Sequence, residues 1–540
     1  MRNIYKITLS VLGSMLAFSA QGQMNPKFKF EEALKLIQKN YVDEVQDERL
    51  VDAAIKAMVS DLDPHSSYIN REEAEAMKGA MSGSFAGIGI SFMMVNDSTF
   101  VTGLNPEGPA LRAGLRLGDR ITAIDGQGIF GKGIKNQQVM MMLRGEKGKE
   151  VVLDVMHQGN TVPARLTIMR EQIADLSVHS SYMVDKETGY ISLSIFSAST
   201  RREMDAALKK LKEQGMKKLI LDLQGNGGGY VEAAIGVADE FLPKETMVFY
   251  AVGNDGVKDH YATGGFGQFM EGNMVVLIDE STASSSEIVT GALQDWDRAV
   301  VIGRRSFGKG LMQRPFTMAD GAVLQLTGAR YYTPSGRSIQ KSYVKGKADY
   351  YEDFKRRMAS GELKEEGHFS FPDSLKYTTM KNKRTVYGGG GIMPDRFVPI
   401  DTNEYSVWMG NIMNSGLVTK TSFDYVQQHR VALLAGYPDF AAFNAAFVAP
   451  ADVLDQLFAD AGRRKIQMPD KSDVSARKVL AVELKAQIAT LVYSGTDFPL
   501  RVRNEANGSF LFAVSVLKDQ ALYNRLLKGQ EKPKKLNKKK

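Results

Sequence analysis

The 540-residue chain contains no cysteine. This absence excludes disulfide bonds, thiolate metal sites and cysteine nucleophiles. Histidine is also scarce, and the six histidines show neither the HExxH nor the HxxxH spacing of zinc sites. We therefore expect no metal ion and no other cofactor. A hydrophobic content of 43% and a charged content of 24% are those of an ordinary globular protein, which excludes disordered, collagen-like and multi-span membrane classes for the chain as a whole.

Excess positive charge is lacking outside the two termini, although the formal net charge is +7. Residues 528–540 contain seven lysines and one glutamate, and Arg2 and Lys6 lie at the other end, which leaves a net charge of −1 for the rest of the chain. A protein that tracks nucleic-acid phosphates needs a basic surface within a domain, so we expect no nucleic-acid partner. Residues 528–540 are predicted to be a solvated, disordered tail, with contact to an acidic membrane surface as the alternative.

The first 22 residues have the pattern of a secretory signal peptide. Arg2 and Lys6 precede an apolar stretch from Ile7 to Ala20, and small or polar residues follow it. A spanning helix needs about 20 apolar residues, so this stretch is too short, and no later segment reaches that length. The pattern predicts an exported, periplasmic protein without a transmembrane segment.

Composition and periodicity divide the remainder into four parts. Residues 23–82 show apolar residues at helical spacing, and residues 83–172 contain short β-rich runs, glycines and turn dipeptides. In residues 173–400 strand-like runs alternate with helical ones, which is typical of an α/β unit. Residues 401–527 are mostly helical in pattern and contain no motif that indicates a function.

The β-rich part begins with a glycine-flanked loop at residues 85–90, which read Phe-Ala-Gly-Ile-Gly-Ile, and continues with Gly-Pro-Ala at 108–110 and Ala-Gly-Leu-Arg-Leu-Gly-Asp-Arg-Ile at 113–121. In this order the motifs resemble a PDZ domain. Such domains bind the free C-terminus of an extended peptide as an added strand, with loop amides on its carboxylate. The resemblance implies a peptide site formed by Gly87, Ile88, Gly89 and Ile90, with the two isoleucines lining the pocket for the last side chain.

A second glycine-rich loop follows the buried-type strand Leu219–Leu223. The loop at residues 224–229 reads Gln-Gly-Asn-Gly-Gly-Gly and lacks the GK[ST] sequence of a phosphate loop, so an oxyanion hole is the alternative use of its backbone N–H groups. Downstream, Ser284 and Glu287 precede an apolar helical run. Their spacing is that of a capping box, which explains the serine without chemistry, but a serine at a helix N-terminus is also well placed as a nucleophile.

A serine nucleophile needs a base, and no histidine lies in a motif-like setting near Ser284. Lys309 instead lies between glycines in an apolar stretch, where burial lowers the pKa of an amine enough for it to act as a base. A solvated surface charge is the ordinary alternative for a lone lysine. Gln313 is four residues further on, one turn away in a helix, and is a candidate to orient the amine.

At this point the chain resembles the C-terminal processing peptidases, PDZ-containing serine proteases with a Ser–Lys dyad, over roughly residues 30–400. The matching elements include Leu-Asp-Pro-His-Ser-Ser-Tyr at 62–68, the PDZ motifs, the glycine loop, the serine and lysine motifs, Tyr-Thr-Pro-Ser-Gly-Arg-Ser-Ile-Gln at 332–340 and Gly-Ile-Met-Pro-Asp at 391–395. The resemblance implies a crotonase-like α/β protease core with an inserted β-rich PDZ domain, N-terminal helices and a C-terminal helical region. It assigns Ser284 as nucleophile, Lys309 as general base, Gln313 as the orienting partner, and the amides of Gly229 and Ser285 as the oxyanion hole.

Three residues depart from the family pattern. Ser285 replaces a common alanine, Gln224 stands where arginine is common, and Gly227 stands where proline is common. None of these changes removes a reacting group. His65 belongs to a segment that is structural in the family, so we do not assign it an acid–base role.

The leading hypothesis is an exported endopeptidase that binds protein C-termini through its PDZ domain and cleaves by acyl transfer. The alternatives are a non-catalytic PDZ adaptor on an inactive scaffold, and a Ser–Lys amidase that acts on cell-wall peptides. The expected partners are proteins or peptides with free, apolar C-termini, and a homo-oligomer or an adaptor partner is left open. Arg144, in a turn of the PDZ domain, is a candidate to couple peptide binding to the protease, with a plain surface arginine as the alternative.

Overall fold

The computed structural model describes residues 25–531 apart from 82, 96, 106, 158, 370, 403–405 and 494–496. The predicted signal peptide and residues 532–540 of the predicted tail therefore lie outside the described residues. Within the described ranges, no helix combines the length and the apolar character that a bilayer-spanning helix requires.

Two helices open the described chain, α1 (Pro26–Asn40) and α2 (Asp47–Leu62). The Asn25 side chain caps α1, and proline at the first helical position costs no hydrogen bond because that N–H has no helical partner. A short strand, β1 (Ser67–Ile69), then pairs with the α/β core, and α3 (Arg71–Met81) leads to the β-rich domain. The pairing of β1 ties the N-terminal segment to the core.

The β-rich domain is an insertion whose entry and exit strands lie side by side. Strands β2 (Ser84–Gly87) and β9 (Glu171–Ala174) form an antiparallel two-stranded ribbon. Between them lie β3 (Ile90–Val95), β4 (Ser98–Leu104), α4 (Pro109–Arg112), β5 (Arg120–Ile124), β6 (Gln127–Gly128), α5 (Asn136–Leu143), β7 (Glu150–Met156) and β8 (Ala164–Met169). The sheet has the order β3-β4-β5-β7-β8, with β6 paired to β5, so β3 is an edge strand.

The α/β core contains a central six-stranded sheet and a second, antiparallel sheet. Its elements are β10 (Val178–Met183), β11 (Thr188–Leu193), α6 (Thr200–Glu213), β12 (Lys218–Asp222), α7 (Val231–Asp239), β13 (Met247–Gly253), β14 (Lys258–Ala262), β15 (Asn273–Ile278), α8 (Ser285–Asp295), β16 (Val300–Gly303), β17 (Leu311–Thr317), β18 (Val323–Tyr332), α9 (Lys347–Tyr351), α10 (Asp353–Ala359), β19 (Lys376–Thr378), β20 (Thr385–Tyr387) and β21 (Arg396–Phe397), with a 3₁₀ turn at Asp373–Leu375. The central sheet has the order β10-β11-β12-β15-β16-β21 and is parallel except for β10. The second sheet joins β1, β18, β13 and β14, with β17 also paired to β18.

The central strands are apolar along their whole length because both faces of the sheet are covered. Leu219 and Leu221 face helices α6 to α8, whereas Ile220 between them faces the other side, since successive side chains of a strand alternate. On that other side Ile220 packs against Phe510 and Val516 of the C-terminal region. The end of the C-terminal region, residues 510–526, is therefore part of the core of the molecule.

The C-terminal region consists of α11 (Val407–Asn414), α12 (Leu417–Gly436), α13 (Phe440–Ala446), α14 (Ala451–Arg463), α15 (Val474–Val492), α16 (Phe498–Asn504), α17 (Gly508–Lys518) and α18 (Gln520–Leu527). Five of these helices begin after a polar residue whose side chain accepts a backbone N–H of the first turn, namely Ser406, Asp439, Asp473, Asn507 and Asp519. The predicted multidomain α/β fold with an inserted β-rich domain and flanking helical segments is confirmed.

Candidate active site

Ser284 is held at the first turn after a strand of the central sheet. Strand β15 ends at Ile278, and the carboxylate of Asp279 accepts hydrogen bonds from the N–H groups of Ser281 and Thr282, which folds the chain into a tight turn. Ser284 is the residue before α8, with φ 56° and ψ −118°, a backbone conformation that side-chain-bearing residues rarely adopt. The turn leaves Ser284 half-buried at the helix N-terminus.

A single buried carboxylate joins the serine to the lysine loop. Oε2 of Glu287 accepts from Ser284 N at 2.9 Å and from Lys309 N at 2.8 Å. Oε1 of the same carboxylate accepts from Gly308 N at 2.7 Å and from the Ser306 hydroxyl. Burial raises the pKa of the Glu287 carboxyl, against the opposing effect of these hydrogen bonds. The capping contact between Glu287 and Ser284 N is present as predicted, and the same side chain also positions the backbone of Lys309.

Lys309 lies in the loop between β16 and β17, with its side chain largely buried. Burial lowers the pKa of its ammonium group, and the negative charges of Glu287 and Asp63 oppose that shift without cancelling it. Among the described residues no acceptor lies within hydrogen-bonding distance of this ammonium. Lys341, a neighbouring lysine whose pKa burial also lowers, is paired with Asp353 at 3.3 Å. Lys309 is therefore the better suited of the two to lose its proton.

The glycine loop lies directly against the serine turn. A Cβ atom on Gly228 would come within 2.8 Å of Ser284 Cβ and 3.0 Å of Ser285 N, so only glycine fits there, and its φ of +104° also requires glycine. The Ser285 hydroxyl donates to Gly229 O at 2.9 Å. Within the described part of the chain, the N–H groups of Gly229 and Ser285 donate no backbone hydrogen bond. An oxyanion hole requires two N–H groups without a backbone acceptor, and the use of this pair as one stays a prediction.

The Asp63 turn lies on the lysine side of the site. The Asp63 carboxylate accepts from the N–H groups of His65 and Ser66 and from the Ser66 hydroxyl, and these bonds outweigh burial, so its pKa is lowered. Burial and the positive charge of Lys309 lower the pKa of His65 to about 4. His65 Nε2 lies 2.8 Å from the hydroxyl of Tyr350. A ring that is neutral near pH 7 and already bonded to a tyrosine is suited to a structural role.

Models of known protein families match several ranges of the chain. The model of peptidase family S41 matches residues 187–349, a PDZ domain model matches residues 86–168, and the model of the activating protease CtpB N-terminal domain matches residues 15–73. A family of unknown function matches residues 408–494. The chain is 37% identical over 318 residues, 58% of its length, to the carboxy-terminal-processing protease of Bartonella bacilliformis, of which the alignment covers 72%. The chain belongs to the C-terminal processing peptidase family.

Two further proteins are similar to the chain. The chain is 33% identical over 319 residues, 59% of its length, to a probable CtpA-like serine protease of Staphylococcus aureus, and the alignment covers 63% of that protein. The solved structure of the photosystem II D1 C-terminal processing protease is 27% identical, with 59% of this chain and 91% of that chain covered and a TM-score of 0.34. Membership of this family indicates that the chain is a carboxy-terminal-processing serine peptidase with a PDZ domain.

Gln313 of this peptidase lies in a strand. Its spacing of four residues from Lys309 would correspond to one turn only in a helix. It is the third residue of β17, after a bulge at Met312, and its amide donates to Leu311 O at 3.2 Å and to the Thr327 hydroxyl at 3.4 Å. The Thr327 hydroxyl in turn lies 3.5 Å from that of Ser66. Gln313 therefore contacts the Asp63 turn through Thr327, and its role as orienting partner of Lys309 stays a prediction.

The four residues predicted to form the peptide site of the PDZ domain differ in backbone conformation and in burial. Gly89 has a φ of +75° and needs glycine, whereas Gly87 lies in the ribbon strand β2 and has no positive φ. Ile88 is only 2% exposed and packs in the domain core, while Ile90 is half-buried on the edge strand β3. The guanidinium of Arg144 lies 4.2 Å from the ring centre of Phe85 in the ribbon. Arg144 thus contacts the connection between the two domains, and its coupling role stays a prediction.

Sequence reasoning missed one residue of the site. The Tyr331 hydroxyl lies 2.9 Å from Lys309 O and 3.3 Å from Ser284 O, so it joins the two backbone segments through their carbonyl groups. Tyr331 is fully buried, and burial raises its pKa well above the usual range. Tyr331 is two residues after the buried Ala329 in β18, and this alternation predicts a buried tyrosine. The sequence does not indicate which groups its hydroxyl contacts.

Proposed function

We propose that the chain is an exported serine endopeptidase that binds protein C-termini through its PDZ domain and hydrolyses peptide bonds with a Ser284–Lys309 dyad. The observation that carries this proposal is the shared Glu287 oxygen, which accepts from the backbone N–H of both Ser284 and Lys309. Residues that are 25 positions apart in sequence are thereby fixed next to each other, as a nucleophile and its base must be.

In the first half of the reaction Lys309 acts as a neutral amine. It takes the proton of the Ser284 hydroxyl while Oγ forms a bond to the carbonyl carbon of the substrate. The carbonyl oxygen becomes an oxyanion, which the N–H groups of Gly229 and Ser285 stabilise. The C–N bond then breaks, the Lys309 ammonium returns its proton to the leaving amine, and an ester to Ser284 remains.

In the second half water hydrolyses that ester. Lys309 takes a proton from the attacking water, the same two N–H groups stabilise the second oxyanion, and the Ser284 oxygen leaves with the proton that Lys309 returns. The product carries a new carboxylate. The cycle needs no metal ion or other cofactor, because the amine supplies proton transfer and the backbone supplies charge stabilisation.

The pH dependence follows from the environment of Lys309. Since burial lowers the pKa of Lys309, kcat/KM is expected to rise with pH below the ordinary lysine range as the amine loses its proton. Asp63 raises that pKa, so Asp63→Asn is expected to move the rising limb to lower pH, measured from pH 5 to 10 with a small peptide substrate. Burial lowers the pKa of His65 to about 4, so His65 is not expected to contribute to this limb.

The exposed Asp61, two residues before Asp63, provides the matched control for that experiment. Asp61→Asn should leave the rising limb where it is in the wild type. A limb that stays in place in Asp63→Asn, or a profile that is flat from pH 6 to 9, would contradict Lys309 as the base.

Substrate selection is proposed to occur at the edge of β3. An extended C-terminal peptide adds to a free strand edge with backbone hydrogen bonds, and the turn at Gly89 presents amides to its carboxylate. Burial of an apolar last side chain contributes about 1.5–3 kcal/mol, whereas an unpaired ammonium is desolvated at a cost. The substrates are therefore proteins with free, apolar C-termini.

This gives a prediction for the chain's own terminus, Lys538-Lys539-Lys540. Full-length protein with Ser284→Ala is expected to bind a peptide that ends in Val at least about tenfold more tightly than one that ends in three lysines. Removal of residues 528–540 should leave peptidase activity intact, because such a tail is a poor ligand for the PDZ domain. Titration by fluorescence anisotropy at moderate salt measures both affinities, and tighter binding of the lysine peptide would exclude the proposed pocket.

Export rests on the amino-terminal pattern. A charged start, a 14-residue apolar stretch and small residues after it support secretion into the periplasm, where the substrates would be exported proteins. Fractionation of cells that express the full chain, with sequencing of the mature N-terminus, tests this part. A cytoplasmic protein that retains residues 1–22 would refute it.

The decisive test of the activity compares three substrates. An unfolded protein with an apolar C-terminus should be cleaved by the wild type, the same protein with an amidated C-terminus more slowly, and cell-wall muropeptides not at all. Cleavage of muropeptides alone would favour the amidase alternative. Binding of the free C-terminus without any cleavage would favour the adaptor alternative.

A further inference from the structure

The C-terminal helical region contacts both the PDZ domain and the glycine loop. Most of it, residues 408–494, matches the model of a family of unknown function. Helices α17 and α18 cover the second face of the central sheet, while α12 and α15 reach the inserted domain. The region therefore packs on the peptide-binding module at one end and on the catalytic core at the other.

Contact with the PDZ domain occurs on the two strands nearest the peptide site. The ring of Phe423 in α12 lies 4.5 Å, centre to centre, from that of Phe100 in β4. Met93 in the edge strand β3 packs into the same apolar cluster. Ile90 and Phe92 of β3 face the interior of the PDZ domain instead. A peptide that adds to β3 therefore extends the sheet whose outer face the helical region covers.

A packed path leads from this face towards the core. Helix α15 contacts both strand β4 of the PDZ domain and helix α16. The Arg503 guanidinium of α16 donates to both carboxylate oxygens of Glu483 in α15, at 2.7 and 2.9 Å. Helix α16 ends at Asn504, whose amide donates to the Tyr182 hydroxyl of the central sheet at 3.0 Å.

Three residues further on, Asn507 contacts the glycine loop. Its Oδ1 caps α17 by accepting from the N–H groups of Ser509 and Phe510, and its Nδ2 donates to Gln224 Oε1 at 3.0 Å. The backbone of the loop is otherwise tied to the core, since Gln224 N donates to Asp222 and Gly225 N donates to Asp279. Asn507 therefore gives the Gln224 side chain a specific partner in the helical region.

We propose that Asn507 is a positioning residue of the peptidase, and that the C-terminal helical region transmits peptide binding at β3 to the glycine loop through Asn507 and Gln224. The proposal rests on the proposed Ser284–Lys309 activity. Gln224 precedes Gly229, whose N–H belongs to the oxyanion hole, by five residues, so a shift of the loop changes the stabilisation of the oxyanion and not the binding of the substrate. Loss of the contact therefore lowers kcat and leaves KM unchanged.

The test is Asn507→Ser, because serine still caps α17 but is too short to reach Gln224. Turnover of a short internally quenched peptide with an amidated C-terminus is measured with and without a free peptide that ends in Val. Wild type is expected to respond to the free peptide. In Asn507→Ser, kcat should fall between about two- and tenfold, KM should stay the same, and the response should be lost.

Three comparisons complete the design. Gln224→Leu should behave as Asn507→Ser does, and the double variant should be no worse than either single one, since one contact is removed in each case. Asp519→Ser makes the same kind of cap substitution at α18, away from the loop, and should keep wild-type kcat and response. Affinity for the free peptide, measured in the Ser284→Ala background, should not change with Asn507→Ser.

A wild-type kcat together with a retained peptide response in Asn507→Ser would overturn the proposal, and so would a wild-type enzyme that does not respond to the free peptide. Additive losses in the double variant would also overturn it. Failure of the proposed function has a different signature in the same assay, namely Ser284→Ala cleaving at the wild-type rate.

Discussion

Replacement of Lys309 by alanine is expected to lower kcat by roughly four orders of magnitude or more, and replacement of Ser284 by alanine should have the same effect. Each change removes one half of the proposed dyad, whose members act only as a pair, so the double variant should be no slower than either single one. The fold should persist, because Ser284 is half-buried and the ammonium of Lys309 makes no hydrogen bond among the described residues. Single-turnover hydrolysis and thermal unfolding measure the two properties separately.

Matched controls lie close by for both residues. Ser281 is exposed on the same turn as Ser284, and Lys347 is an exposed lysine near the Asp63 turn. Ser281→Ala and Lys347→Ala should both retain wild-type turnover. Near-native hydrolysis by Lys309→Ala would refute the dyad, and a large loss in Lys347→Ala would mean that general positive charge, rather than a specific base, supports the reaction.

Removal of the Glu287 carboxylate is expected to damage both stability and activity. In Glu287→Ala the N–H groups of Ser284, Gly308 and Lys309 and the hydroxyl of Ser306 lose their acceptor in a fully buried site. Unsatisfied buried donors and the cavity together should lower the free energy of unfolding by about 3 kcal/mol or more. Because the serine and lysine backbones are no longer held to one oxygen, turnover should fall at least about 100-fold.

Thr290, one turn further along α8, is the control for that variant. It is fully buried, and its hydroxyl donates to Ser286 O at 2.7 Å without touching the lysine loop. Thr290→Val should cost about 1 kcal/mol of stability and leave kcat unchanged. The isosteric Glu287→Gln keeps one acceptor oxygen but presents an N–H group to other donors, so it should fall between wild type and Glu287→Ala. Wild-type unfolding and turnover in Glu287→Gln would show that these hydrogen bonds do not hold the site.

Local signals were enough to predict most of the architecture. Apolar runs such as Leu219–Leu223 marked a sheet buried on both sides, and the spacing of Ser284 and Glu287 marked the start of α8. The reading of the β-rich domain depended on several glycine motifs in one order, which together specify a backbone path. These signals are local because each depends on residues within one turn, strand or helix.

Contacts between residues that are distant in the chain could not be predicted from local sequence patterns. Glu287 looked like a capping residue because half of its role is local, whereas its bond to Lys309 joins segments 22 residues apart. The bond between Asn507 and Gln224 spans 283 residues, and nothing in the helical pattern of the C-terminal region points to it. The spacing of Gln313 from Lys309 was compared with one turn of a helix. In the structure its segment is a strand, because it pairs with β18. Whether such a segment forms a strand depends on tertiary contacts and not on local spacing.

The backbone of Ser284 has a consequence for how this sequence can change over time. With φ 56° and ψ −118°, the position suits glycine, and a residue with a Cβ atom is strained there by about 1–3 kcal/mol. The most stable residue for the turn is thus the one that lacks a hydroxyl. Under the proposed Ser284–Lys309 mechanism, a lineage that no longer needed hydrolysis would gain thermal stability from a single change to glycine, whereas one that needs hydrolysis must keep the strained serine. Under that mechanism, turnover at this position is maintained at the expense of stability.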